Sequence, residues 1–225
     1  VQDYTRGIPV FRVPVAVAIV TASGKATKTV WVREKEELFE FPAETRPLLV
    51  RFDEGNVLIK EVNFPKTVEE LLYQLRNDDV MGRMSAAAGL SQSKEDARVF
   101  EALAASAQSD AFWAVRRASV EALGKLQDKR VTAVLRKACL DTHSSVRVSA
   151  LVALGDLKDR GMTDLFKERF SKDQSDLVRA EALRALGKTG DASLVPFLEN
   201  CVSVPSHRNV VGNAASQALK QLGKQ

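Results

Sequence analysis

Two periodicities divide this chain. In "FRVPVAVAIV" the residues Phe11, Val13, Val15, Val17 and Ile19 fall on one face of an extended strand, whose side chains repeat every second position. "TASGKAT" supplies a Ser-Gly turn and "TKTVWVRE" a returning strand. "ELFEFPA" adds Phe39 and Phe41 on one face, "RPLLVRFD" adds Leu48, Val50 and Phe52, and "DEGN" turns into "VLIKEV". About five short strands without intervening helices predict an antiparallel β-sandwich over residues 1–65. Pro14 cannot donate to a ladder, so its place is an edge or a bulge.

At "NFPKTVEELLYQL" the period changes to that of a helix. Thr67 followed by Glu70 three residues later predicts a capping box that opens the first helix. Beyond it, a phrase V-R-x-x-[SA]-[VL]-x-A-L-G is written three times: "WAVRRASVEALGKL", "SSVRVSALVALGDL" and "DLVRAEALRALGKT". Its arginines, with Arg83 of a looser first copy, are Arg83, Arg116, Arg147 and Arg179, spaced by 33, 31 and 32 residues, and Gly212 takes the next place 33 further on. Each phrase is followed by another helical stretch, as in "DKRVTAVLRKACL", "DRGMTDLFKERF" and "DASLVPFLENCV". The spacing predicts an α-solenoid of about five stacked helix pairs over residues 66–225, in which each pair lends its neighbour a wall of core. The whole chain then reads as a two-domain α+β protein, an antiparallel β-sandwich followed by an α-solenoid of helix pairs.

The repeated arginine needs a carboxylate, because a cation in the first turn of a helix opposes the macrodipole. Six residues before Arg116, Arg147 and Arg179 stand Asp110, Asp141 and Asp173; before Arg83 stands Asn77, and before Gly212 stands Ser206. Acid and base are lost together in the last copy, which predicts a structural ladder of Asp110, Arg116, Asp141, Arg147, Asp173 and Arg179. The pattern leaves open whether each Asp bonds its own Arg or a neighbour's.

Charge adds a second candidate. Of 33 basic and 29 acidic residues, residues 1–65 hold nine of each, so the net +4 falls on the helical part. Lys129, Arg130, Arg136, Lys137, Lys167 and Arg169 could line one concave basic face, where binding would rest on phosphate neutralisation. Asp128, Asp159, Asp164 and Glu168 interleave with them and aromatic residues do not. That mixture argues for a solvated face and against a nucleic-acid partner.

Catalytic constellations are missing from the sequence. There is no G-x-S-x-G elbow and no strand-linked phosphate loop; "GKTGD" at 187–191 has the closing letters of one but follows a helix. Cys139 and Cys201 show no metal or redox spacing, and His143 and His207 read as turn or cap residues. No apolar run approaches the roughly 20 residues of a membrane span.

The helical part resembles a HEAT-like repeat array of the short type also found in phycobilisome lyases, on "DAFWAVRRASVEALGKLQDKRVTAVLRKACLDTHSSVRVSALVALGDL". The first part, "FRVPVAVAIVTASGKATKTVWV" with "FEFPAETRPLLVRFDEGNVLIKEV", is similar to the β-sandwich that follows the catalytic domain in aminopeptidase N-like zinc peptidases. The second resemblance implies that the chain is a noncatalytic C-terminal scaffold, a fragment whose sandwich is incomplete at its start. It implies no cofactor here, zinc belonging to an upstream catalytic domain, and a partner that is either that domain or another protein or peptide. H-E-x-x-H and G-x-M-E-N, the motifs of that family, do not occur. The alternative expectation is an independent HEAT-type protein-interaction adaptor.

Overall fold

The alternating run forms a strand, β1 (Val13–Thr21), whose Val15, Val17 and Ile19 are buried. This computed structural model describes residues 10–60, 62–126 and 128–223. They fall into two compact units, Val1–Gln74 and Leu75–Gln225.

In the first unit β1 pairs antiparallel with β2 (Gly24–Val32), in register from Val13 opposite Val32 to Thr21 opposite Gly24. On its other side lies β3 (Leu49–Phe52), with Val17 opposite Phe52, so the order is β2-β1-β3. Because β3 reaches only Val17 to Val20, Pro14 sits where β1 has a neighbouring strand on one side alone among the described residues, and its missing N–H costs no ladder bond to them.

The expected sandwich is corrected to this three-stranded sheet, the only sheet among the described residues. Local hydrogen bonds account for one lost strand. The Asp53 carboxylate accepts from the N–H groups of Val57 and Leu58 and pairs with Lys60, while Lys60 also donates to Asn56. These bonds close residues 53–60 into a loop and remove two donors that "VLIKEV" would need for a ladder. Desolvation pushes the Asp53 carboxyl up, but the Lys60, Leu58 and Val57 bonds outweigh it and hold it below the ordinary range. In "ELFEFPA", Glu37 instead caps the N–H of Arg33 at 2.7 Å.

The helical region opens with α1 (Val68–Asn77). The Thr67 N–H donates to Glu70 Oε2 at 2.7 Å and the Glu70 N–H returns to Thr67 Oγ1 at 3.3 Å, the reciprocal capping box. Glu70→Ala is expected to cost about 1 kcal/mol of helix stability. Loss of α1 amide protection in hydrogen exchange, with the remaining helices unchanged, is the measurement that checks it.

In the second unit the chain continues through α2 (Val80–Leu90), α3 (Ala97–Ser109), α4 (Trp113–Leu123), α5 (Val131–Ala138), α6 (Ser144–Asp156), α7 (Thr163–Lys172), α8 (Asp176–Lys188), α9 (Val195–Cys201) and α10 (Val210–Gln221). Of its neighbours along the chain, each phrase helix packs chiefly on the one before it, α4 on α3, α6 on α5, α8 on α7 and α10 on α9, while α6, α8 and α10 make their most extensive contacts with the phrase helices of adjoining units. The phrase therefore marks the second helix of a pair, whereas the sequence order suggests the first. Among the described residues four such pairs form, and α2 adds a further member to the layer α2-α4-α6-α8-α10.

The phrase residues are the core of that layer. Val115, Ser119, Val120 and Leu123 are buried, as are Val146, Ala150, Leu151 and Leu154, and Val178, Ala182, Leu183 and Leu186. Its closing glycine allows close approach to the next second helix. A Cβ on Gly124 would meet Ala153 Cβ at 2.8 Å, one on Gly155 would meet Ala185 Cα at 3.1 Å, and one on Gly187 would meet Ala218 Cα at 2.7 Å.

Candidate interaction surface

Along one edge, at the N-terminal ends of the second helices, the repeated Asp and Arg join neighbouring units. Arg83 Nε and Nη2 donate to Asp110 at 2.9 and 3.0 Å, Arg116 to Asp141 at 2.7 and 2.8 Å, and Arg147 to Asp173 at 2.7 and 2.7 Å. The third guanidinium nitrogen turns back to a carbonyl of its own turn, that of Asp78, Asp110 or Asp141. Each Asp meanwhile accepts the N–H two residues on, from Phe112, His143 or Ser175. Every rung is thus a two-point ion pair between consecutive units, anchored at both ends to a turn.

For Asp141 and Asp173 burial raises the carboxyl pKa, yet the hydrogen bonds from Arg116 or Arg147 and from the turn N–H hold it below 3.8. The Arg147 guanidinium is pushed up, first by its bond to Asp173. Arg179 departs from the expected ladder. It donates to the Phe170 carbonyl and to Asp176, whose other oxygen accepts the His207 N–H, because Ser206 brings no carboxylate. Ser206 Oγ instead accepts the Val211 N–H at 3.1 Å.

A second aspartate series escaped the sequence reading. Asp96, Asp159 and Asp191 are N-caps at the other ends of the units, and Asp128 binds the Arg130 N–H in the same way. Their spacing of 32, 31 and 32 residues was the available signal. His143 is an N-cap whose Nδ1 accepts the Ser145 N–H, and its ring stacks on Trp113 of the preceding pair at 3.9 Å.

The six basic candidates do not form an unopposed strip, and they stand on α5 and α7 or just before α5, the first helices of their pairs. Arg130 is held by Asp128 and Glu101 and lies 4.0 Å over the Phe100 ring. Arg136 Nη1 contacts Met162 Sδ at 3.4 Å, Lys167 lies over Phe197, and Arg169 donates to Glu168. Lys129 and Lys137 are exposed. Carboxylates have claimed Arg130 and Arg169 by the same rule of neighbouring opposite charge that sets the ladder.

The exposed apolar residues draw attention to the ladder edge instead. Met81 (50% exposed), Phe112 (40%), Leu140 (64%), Leu177 (61%) and Val202 (38%) all lie at the turns leading into α2, α4, α6, α8 and α10 or in their first turns. One stands at each successive step of the stack. The buried thiols of Cys139 and Cys201, pushed up to about 12 and about 11 by desolvation, are held protonated and offer no nucleophile at neutral pH.

The family model described as HEAT repeats matches residues 100–185, and that described as PBS lyase HEAT-like repeat matches residues 178–203. The helical part is a solenoid of stacked helix pairs, and within it residues 100–203 are similar to HEAT repeats. No curated protein matches the chain. Among solved structures it is similar to the complex of CpcE and CpcF of phycocyanin lyase from Nostoc sp. PCC7120. That match has TM-score 0.57 and 23% identity, covering 74% of this chain and 69% of that one. It also matches human deoxyhypusine hydroxylase in complex with glycerol, with TM-score 0.47, 14% identity and coverage of 69% and 73%.

These findings overturn the reading as a C-terminal scaffold of an aminopeptidase N-like protein: the matching family models are HEAT-repeat models, the similar phycocyanin lyase structure covers 74% of the chain, and none of these findings points to a peptidase. The expectation of a noncatalytic chain falls with it, since an array of this fold occurs in a phycocyanin lyase. The fold alone does not decide the chemistry. No helix among the described residues is long and apolar enough to cross a membrane.

Proposed function

We propose that the chain is a HEAT-type protein-interaction array that docks a protein partner along its ladder edge. The observation that carries this reading is the apolar series Met81, Phe112, Leu140, Leu177 and Val202, one at each step of the stack. Scattered exposed apolar residues are ordinary, but a row along a rigid edge is a surface that gains by being covered. The ladder fixes the spacing of that row, so a partner meets a prearranged stripe and little ordering cost falls on the array. The similar solved structure is itself a complex of two different chains, which supports a partner of the same kind here.

Site-specific photocrosslinking in the source cell tests the reading, with the probe at Leu140, at Leu177, or at Leu157. Leu157 is exposed but lies at the opposite end of α6. The same protein crosslinked from 140 and 177 and not from 157 is the expected result. Leu177→Glu should then weaken that complex at least about tenfold, or about 1.4 kcal/mol, without moving the melting temperature. Equal crosslinking from Leu157 would discard the edge.

A further inference from the structure

Where α7 ends and the turn before α6 begins, a surface cavity of about 310 Å³ is lined by Leu140, Thr142, Arg147, Arg169, Lys172 and Gln174 together with the ladder acids Asp141 and Asp173. We propose that this cavity is a carboxylate-recognition site, taking an Asp or Glu side chain of the protein partner with Arg169 as its fork and Lys172 as its second cation. It rests on the docking reading above and names what the partner must carry.

The ladder provides the template. Arg83, Arg116 and Arg147 each present the Nε and Nη2 edge to both oxygens of one carboxylate. Arg169 uses the same edge by half: Nη2 donates to Glu168 Oε1 at 3.0 Å, while Nε is buried and has no hydrogen-bond partner among the described residues. A buried donor left unmade is unfavourable, and more so on a charged group. The two acids at the cavity do not supply the acceptor, since Arg116 and Arg147 already hold them at two points.

Nor is Arg169 required by the stack. Counted from the following ladder aspartate, the same position is Ser106 before Asp110 and Lys137 before Asp141. A residue that served the repeat would recur, whereas this side chain is only 12% exposed and has no counterpart.

Glu168 is the occupant to be displaced. It is 45% exposed and shared between Arg169 Nη2 and Lys172 Nζ, at 3.0 and 3.2 Å. A planar carboxylate entering from the partner satisfies Nε and Nη2 together and leaves Glu168 to solvent. Leu140, on the rim, offers apolar contact to the residue beside the acid.

The test follows the arginine Nε–Hε resonances of the full chain by NMR, with the Arg169 signal identified by its loss in Arg169→Lys. The probe is an acetylated, amidated Gly-Glu-Leu-Gly peptide, with the Gln peptide and inorganic phosphate as controls. A saturable shift of the Arg169 signal is expected, with the Arg147 signal unmoved and the Gln peptide at least about tenfold weaker. Lys172→Gln, at an exposed lysine whose loss leaves the fold intact, should weaken the Glu peptide about threefold. An unmoved Arg169 signal, equal response to the Gln peptide, or a stronger response to phosphate would overturn the site.

The two proposals fail separately. If the Glu peptide binds while crosslinking from Leu140 and Leu177 finds no partner, the carboxylate site stands and the docking reading falls. If a partner crosslinks and Arg169→Gln leaves its affinity unchanged, the reverse holds.

Discussion

Replacing Arg147 with Met should lower the unfolding free energy by about 3 kcal/mol, because it strips the partner from a carboxylate that the fold has buried. The Asp173 side chain is only 4% exposed and would keep only the Ser175 N–H and the more distant Arg169 charge. For a chain of this size that corresponds to a fall of roughly 10 °C in melting temperature. The double variant Arg147→Met with Asp173→Asn should recover part of the loss, since a neutral amide oxygen still accepts the turn N–H without an orphaned charge. Thermal unfolding of the wild type and the two variants decides the matter: a single variant that melts with the wild type would show the rung to be a surface pair of little worth.

The same rungs set an acid limit. The Asp141 and Asp173 pKa values are lowered below 3.8 in the folded chain, so the unfolded state binds protons first as pH falls. Their contribution is fully present above the unfolded value and is lost as pH drops through the folded value. Stability should therefore decline below about pH 4, and Arg147→Met should flatten that decline.

Gly187→Ala is the second large effect. In an exposed helix this change would add up to about 1 kcal/mol of stability through propensity. Here the new Cβ would lie 2.7 Å from Ala218 Cα and 2.8 Å from its Cβ, atoms that cannot rotate away. α8 and α10 must separate, and overpacking of this kind costs typically 1–3 kcal/mol, so a net loss of about 2 kcal/mol is expected. Ala218→Gly in the same chain removes the Cβ but not the Cα and should restore only part. A Gly187→Ala variant as stable as the wild type in denaturant unfolding would show that the helices give way at little cost. Gly190, three residues on, differs in kind: it has φ +69° and nothing within 4 Å, and conformation alone demands it.

The helices were legible because their apolar residues recur both at helical spacing and at 31 to 33 residues, two independent signals. Which helices pair was not. In a stack every helix has a neighbour before and behind, and nothing in "VRRASVEALG" distinguishes them. The same symmetry hid the ladder's direction, for Arg147 lies six residues from Asp141 and 26 from Asp173, and the fold uses the carbonyl of the first and the carboxylate of the second. The supposed sandwich misled because alternation reports exposure and not hydrogen bonding; the side chain of Asp53, four and five residues upstream, captured the donors of Val57 and Leu58. The apolar edge escaped because Met81, Phe112, Leu140, Leu177 and Val202 differ in type and in offset from the phrase. They are legible only as the apolar residues the core pattern leaves over.

Each rung aspartate belongs to two units at once, through its turn N–H and through the arginine upstream. Excision of residues 141–172 would bring Asp173 directly after Leu140, and Arg116 would find Asp173 where Asp141 had been. No acid or base of the ladder would be stranded. A cut of half that length would strand one of each in the interior. Gene duplication and loss can therefore lengthen or shorten such an array only by whole periods, and the number of steps along its apolar edge is open to evolution in integers.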